Sequence, residues 1–406
     1  MRVAVACVAL FLAGCSSSSG VGAQPDAGVE AATDARGDVV LDGARDGTTL
    51  PDASCPAVSS FDPTTATEVV VPGDTPAEGI FDPSFVYPAD AGSGVMAYSA
   101  VPDQQTIRTH LAVSSDHGAS WTLAIEANVP EAGTVASTDP MDCPGGTCTG
   151  NFISEVPSLV HDEDEPDATK AWKLFTHRYL ASPSGQFHYA IGTIAMQTAP
   201  APGGPWTSPQ KLIGWNDPSC TYSSTGVVAN VSTLSGTGDC LALTEPGALW
   251  RPGALDLAVG CAYLAGNSPA VRIVLLRTTD HGATWQAVGT MLGPSDGDCV
   301  AGATGINAAD LFVSGGVEYL SATPGDSTGA YLGCLVFPVT NPATGAVARD
   351  SAGHALPTRT IAPQPAQFSG ACTFADGAGG YALDVGFLAA SVQRKFRIFR
   401  PGVPGP

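Results

Sequence analysis

The stretch Ile80-Phe81-Asp82-Pro83-Ser84-Phe85-Val86-Tyr87 sets a turn signal, Asp-Pro, directly in front of an apolar and aromatic run. Asp and Pro are poor strand residues, whereas Phe, Val and Tyr are good ones. A buried strand that opens on a carboxylate needs a reason, and the reason lies in repetition. SEVPSLVH begins at Ser154 and TEPGALW at Thr244. Each copy has an acid (Asp82, Glu155, Glu245), a proline within two residues, a small residue and then an apolar strand. A second strand follows each one: GVMAYSAV, AWKLFTHRYL and LDLAVGCAYL. A third comes after that: TIRTHLAVSSD, FHYAIGTIAMQ and VRIVLLRTTD.

A fourth, weaker unit starts near Ile306 and keeps an acid, Asp310, without the proline. A fifth starts at Phe368 and ends in KFRIFRP, a closing strand. Multi-strand units repeated at such a period are the signature of a β-propeller, one unit per blade. The expected fold is all-β and five-bladed, with a six-bladed, sialidase-like propeller as the alternative. In a propeller the innermost strand of each blade lines a central channel. Carboxylates at the heads of three such strands would converge at one mouth, and the proline would stiffen a strand entry that needs no ladder donor.

The bulk numbers agree with strands and turns. The chain has 406 residues, with 48 Gly and 33 Pro. Its net charge of −21 excludes nucleic acid and anionic lipid surfaces as partners.

The N-terminus MRVAVACVALFLAGC has one early cation and an apolar run too short to span a bilayer, as in a secretory signal. Its Leu12-Ala13-Gly14-Cys15 ending resembles a bacterial lipobox. That resemblance implies cleavage before Cys15 and lipidation of the Cys15 thiol, and Ser16 favours sorting to the outer membrane. Acids then recur at Asp26, Glu30, Asp34, Asp38, Asp42 and Asp46. On a helix they would stack as like charges, so this segment reads as a disordered, self-repelling tether. The expected organisation is 1–14 signal peptide, 15–56 tether and 57–406 propeller. The expected state is an exported monomer on the outer membrane or cell surface, touching membrane only through its lipid.

Without Cys7 and Cys15, nine of the 11 cysteines remain. In an exported protein most should pair. Cys143 with Cys148 and Cys220 with Cys240 are the expected short loops. Cys261, Cys299, Cys334 and Cys372 pair across neighbouring strands, and Cys55 is left over. The spacings do not fit zinc.

SSDHGASW (Ser114 to Trp121) and TTDHGATW (Thr278 to Trp285) resemble the Asp box of sialidase and BNR-repeat propellers. There the Ser or Thr and the Asp tie backbone amides in a tight hairpin, Gly supplies positive φ and Trp packs back on the blade. Asp116, Asp280, Trp121 and Trp285 are therefore structural, and His117 and His281 are exposed turn residues. APAPGGPWTSPQKLIG, from Ala199, resembles the blade-closing phrase of family 43 glycoside hydrolases.

Glycoside hydrolysis needs two carboxyl groups flanking the scissile bond, and a third can hold their pKa values apart. Residues 75 to 400 resemble the plan of family 43 and family 32 propellers, in which inner strands of successive blades supply such a trio. The resemblance implies Asp82 as base or nucleophile, Glu245 as general acid and Glu155 as the tuning residue. Family 43 usually has Asp at the middle position, so Glu155 departs from the pattern. The expected function is a surface lipoprotein that hydrolyses polysaccharide. The alternatives are a non-catalytic glycan- or protein-binding propeller and a sialidase-like exo-glycosidase. The last needs three converging arginines, from among Arg108, Arg178, Arg251 and Arg272, but its opening Arg-Ile-Pro phrase is missing. Phe81, Phe152, Tyr222 and Trp250 are candidate ligand-facing aromatics. No cofactor is expected. A structural calcium ion is the one metal compatible with channel carboxylates, and DEDEPD (Asp162 to Asp167) reads as a solvated loop.

Overall fold

The computed structural model describes residues 55–400, apart from 89–92, 104–105, 117, 137–145, 184–186, 217–225, 267, 328, 364–367, 375–385 and 393–394. The signal peptide, nearly all of the tether, Cys15, His117, Cys143, Cys220 and Tyr222 lie outside the described residues.

The chain folds as consecutive antiparallel meanders. The first is Gly79–Val86, Gly94–Val101, Arg108–Ser114 and Thr122–Asn128. The second is Thr147–His161, Trp172–Ala181, Phe187–Ala199 and Gln210–Gly214. The third is Ala242–Arg251, Ala254–Ala265, Ser268–Thr278 and Gln286–Leu292. The fourth is Gly305–Ser314, Val317–Gly325, Cys334–Asn341 and Arg359–Pro363. The fifth is Ser369–Phe374, Gly386–Val392 and Lys395–Arg400. The first strand of each meander packs beside the first strands of the meanders before and after it, and Ser369–Phe374 packs beside Gly79–Val86. The strands thus close a ring around an axis, and the chain is an all-β propeller.

The N-terminal segment fastens the ring. Thr67–Glu68 pairs with Lys395–Arg400 and supplies the fifth meander with its outer strand. Val58–Phe61 lies parallel to Arg359–Pro363 on the outside of the fourth. KFRIFRP is a closing strand, as its sequence suggests. Where it meets the first meander, Gly79 at φ +101° pairs with Phe396. A Cβ on Gly79 would stand 1.9 Å from the Phe396 carbonyl oxygen.

Burial explains the composition of the strands. GVMAYSAV is buried at every position, because middle strands are covered on both faces by neighbouring meanders. Thr122–Asn128, an outer strand, alternates exposed and half-buried residues. Between the second and third meanders pack Phe175, Met196, Leu257, Leu276 and Trp285. Between the third and fourth pack Leu275, Met291, Leu311 and Phe337.

The two SxDxGxSW-type turns have the expected bonding. The Ser114 hydroxyl donates to Asp116 at 2.8 Å and accepts from the Gly118 amide at 2.7 Å. Asp116 also accepts from the Ser120 amide at 2.8 Å. Thr278, Asp280, Gly282 and Thr284 repeat the scheme. The register puts Ser114 level with Gly94, and Thr278 level with Leu255. Both turns therefore lie at the end of the ring opposite Asp82 and Glu245.

Four expectations are corrected here. Cys240 pairs with Cys261 rather than Cys220, and Cys55 pairs with Cys299 instead of remaining free. Cys334 bonds Cys372 across the fourth and fifth meanders, as anticipated. DEDEPD is not simply a solvated loop. Asp162 is buried and, with Glu165, holds the buried ammonium of Lys173, at 3.4 and 2.7 Å. His281 is not a free turn residue either: its Nδ1 lies 2.9 Å from Asp162 and ties the third meander to the second. Cys55 with Cys299 and Asp162 with His281 are separated by 244 and 119 positions, too far for the sequence to show them as neighbours.

Candidate active site

Each of the five inner strands breaks register at the same level. The irregularities fall between Phe81 and Ser84, Glu155 and Ser158, Thr244 and Gly247, Asn307 and Asp310, and Gly370 and Thr373. One residue in each bulge is left-handed: Asp82 (φ 49°), Val156 (48°), Glu245 (51°), Ala308 (43°) and Ala371 (50°). Non-glycine residues avoid this region, and a β-branched one most of all, so each costs on the order of 1 kcal/mol. The neighbouring meander offsets the strain by capping the kinked amide. Val156 N–H donates to the Ser99 hydroxyl at 3.1 Å, Ala308 N–H to Glu245 Oε2 at 2.8 Å, and Ala371 N–H to Thr323 Oγ1 at 2.9 Å. Two residues on, Ser84 and Ser158 accept the Leu159 and Ala248 amides of the next inner strand. The proline after Asp82, Val156 and Glu245 suits a site where the donor has no ladder partner.

This register refines the sequence comparison. Asp82 and Glu245 occupy equivalent bulge positions, but the second meander puts Val156 there, and Glu155 comes one residue earlier. Asp310 falls two residues after the bulge, level with Ser84 and Ser158. Sequence alone could not separate these cases, because the bulge sets which backbone position turns.

Asp82, Glu155 and Glu245 still come together. Burial raises the pKa of Asp82 well above the usual carboxylate range, and the charges of Glu155 and Glu245 raise it further. Burial pushes Glu155 up to about 8, partly offset by the Tyr179 hydroxyl and increased by Glu245. Burial also raises Glu245, against the opposing donors Tyr331 and Ala308 N–H. The acids retain 5, 8 and 7% exposure, so they are deeply set without being sealed. The hydrogen bonds are unequal. Glu245 accepts from the Tyr331 hydroxyl at 2.6 Å and the Ala308 amide at 2.8 Å. Asp82 receives only the Ser99 hydroxyl, at 3.4 Å, among the described residues. Burial also raises Asp310, to about 7; Thr373 donates to it, and it lines the same small cavity as Asp82.

Aromatic side chains surround this end. Phe81 stacks on Phe396 at 4.8 Å, Tyr331 on Phe368 at 4.9 Å, and Tyr179 packs on Tyr189 at 4.5 Å. His177, level with Glu155, is held neutral by burial, with its pKa lowered to about 4. Sequence analysis missed Tyr179, His177 and Tyr331. Their only local signal was an aromatic-rich strand, which a buried core shares. Of the aromatics it did name, Phe152 lies under Arg178 at 5.1 Å, and Trp250 lies toward the opposite end of its strand.

The four candidate arginines do not converge. Arg108 bonds Glu126, Arg178 bonds Glu131, Arg251 bonds Asp256 and Glu318, and Arg272 bonds Asp239. Two clusters have metal-like donor sets among the described residues: Asp162, Glu165 and His281, and Asp239, Cys240 and Cys261. Neither fits calcium. Lys173 already neutralises the first, and both cysteines of the second form a disulfide.

No protein-family model and no curated protein matches the sequence. Among solved structures, the chain is similar to an exo-inulinase from Aspergillus awamori, with a TM-score of 0.52 and 12% identity over 83% of this chain and 63% of that one. The chain thus spans a little under two thirds of the inulinase. A thermostable family-43 glycoside hydrolase gives a TM-score of 0.46 at 10% identity, over 83% and 89% of the two chains. The catalytic domain of a GH62 α-L-arabinofuranosidase from Coprinopsis cinerea gives 0.47 at 12%, over 84% and 98%. At such identities the likeness to the inulinase concerns the fold alone.

Proposed function

We propose that the protein is a five-bladed propeller, each meander one blade, that hydrolyses a polysaccharide glycosidic bond with the pair Asp82 and Glu245, Glu155 being the third, charge-tuning acid. The observation that carries this reading is the convergence of three mutually coupled, buried carboxyl groups at one end of three successive inner strands. Hydrolysis requires one carboxylic acid and one carboxylate facing the same bond. Coupled acids in a low-dielectric setting part with their protons one after another, which provides that mixed state near neutral pH. The aromatic surround suits the apolar faces of sugar rings.

The sequence also supports export, lipidation at Cys15 and display on the outer membrane, with residues 15–56 as a tether. Labelling cells with a palmitate analogue tests this; the label must be lost in Cys15→Ser.

A second reading has one observation in its favour. Both oxygens of Glu245 are engaged by protein donors, as in a purely structural carboxylate. The protein would then be a non-catalytic glycan-binding propeller. One experiment separates the two. The purified protein is incubated with inulin, arabinan and agar, and reducing ends are counted for wild type, Asp82→Asn and Glu245→Gln. Hydrolysis lost by about 10²- to 10⁴-fold in either variant, with glycan affinity retained, supports catalysis. Binding without cleavage by wild type supports the binder.

A further inference from the structure

The hydrogen bonds at the site distinguish the two members of the pair, which the sequence comparison left symmetric except by analogy. Glu245 accepts an amide N–H, from Ala308, whose direction is unambiguous, and a short contact with the Tyr331 hydroxyl. The Ala308 amide is fixed by its own left-handed bulge, and Tyr331 is stacked on Phe368, so both donors are preorganised. Asp82 holds the same bulge position two blades away, in the first meander, with Glu155 on the inner strand between them. Among the described residues its single donor is the Ser99 hydroxyl at 3.4 Å, whose oxygen is itself taken by the Val156 amide. Donors aimed at a carboxylate stabilise its ionised form, and a buried carboxyl without them keeps its proton. The ionisable groups facing Glu245 are Asp82, Glu155 and Tyr331. Those facing Asp82 among the described residues are Glu155 and Glu245, with Asp310 lining the same small cavity.

We infer that Glu245 is the ionised member of the pair, that Asp82 carries the proton, and that Tyr331 is the positioning residue that holds Glu245 in that state. This reverses the roles implied by resemblance to family 43 and rests on the hydrolase reading for its chemical consequence. In that consequence, the Asp82 proton passes to the glycosidic oxygen as the bond from that oxygen to the anomeric carbon breaks, and the leaving sugar departs as an alcohol. Glu245 either bonds to the anomeric carbon, in which case water then displaces that ester and gives a proton back to the Asp82 carboxylate, or accepts a proton from the water whose oxygen bonds to the anomeric carbon. In the second case the turnover leaves Asp82 ionised and Glu245 protonated, and exchange with solvent restores both.

The test reads protonation directly and needs no substrate. Full-length protein labelled with ¹³C at Asp and Glu carboxyl carbons is titrated by NMR. Resonances are assigned by their loss in Asp82→Asn, Glu155→Gln and Glu245→Gln. Glu245 is expected to have the lowest midpoint of the three and Asp82 the highest. Tyr331→Phe should raise the Glu245 midpoint by about one to two pH units, the weight of a hydrogen bond to a charged group. A mere packing role for Tyr331 would not move it. If Asp82→Asn does not fold, Asp82 is identified by its response to Glu155→Gln, which must lower its midpoint. A Glu245 midpoint at or above that of Asp82, or one unmoved by Tyr331→Phe, overturns the inference. Absence of hydrolysis on every glycan would remove the enzyme reading while leaving the titration order standing. Cleavage accompanied by the opposite titration order would remove only the role assignment. Where cleavage is found, Asp82→Asn should retain activity on dinitrophenyl glycosides, which need no proton donor, and Glu245→Gln should not.

Discussion

Replacing Glu155 with Gln should stabilise the protein, and only at neutral to alkaline pH. In an unfolded chain this carboxyl ionises near its ordinary value of 4.5, whereas in the folded protein burial keeps the proton on until about pH 8. Between those limits the native state binds the extra proton. Folding stability attributable to Glu155 is therefore intact below about pH 4.5 and is lost as the pH rises through 8. At 1.36 kcal/mol per pH unit the full interval amounts to about 5 kcal/mol, and the part already lost at pH 7 to about 3 kcal/mol. These are upper values, because Asp82 and Glu245 share the same protons. Gln keeps the shape and the neutral charge of the protonated acid and leaves the Tyr179 hydroxyl a partner. Urea unfolding of wild type and Glu155→Gln at pH 5, 7 and 9 measures the effect. The two proteins should agree within about 1 kcal/mol at pH 5 and diverge by several kcal/mol at pH 9, with the variant the more stable. A difference that stays constant across that range would refute the claim that Glu155 is held protonated by burial beside Glu245.

Two further outcomes concern a buried ion cluster within the second meander and the seam that closes the ring. Lys173→Met leaves Asp162 and Glu165 buried without their cation, and should cost about 3–5 kcal/mol in urea unfolding at pH 7, with partial recovery on acidification. Gly79→Ala brings a methyl group against the Phe396 carbonyl at a left-handed backbone position. It should cost more than about 2 kcal/mol by thermal unfolding, and a neutral result would mean that this seam yields easily.

Much of this protein is legible along the chain. The alternation of turn signals and apolar runs marked the strands, because each hairpin is closed by its own residues. The bonding of the SxDxGxSW turns was legible for the same reason: Ser114, Asp116, Gly118 and Ser120 bond one another within a few positions. The three carboxylates drew notice because an acid ahead of an apolar strand violates local preference. Tertiary structure alone decided the rest. Which residue turns at each bulge depends on caps from the preceding blade, so Val156 rather than Glu155 is the counterpart of Asp82. The pairing of Cys55 with Cys299, and of Asp162 with His281, joins segments whose separation in sequence carries no geometric information. The pKa values of the trio also belong to the fold, because desolvation and mutual repulsion arise only when three distant strands close a ring around one axis.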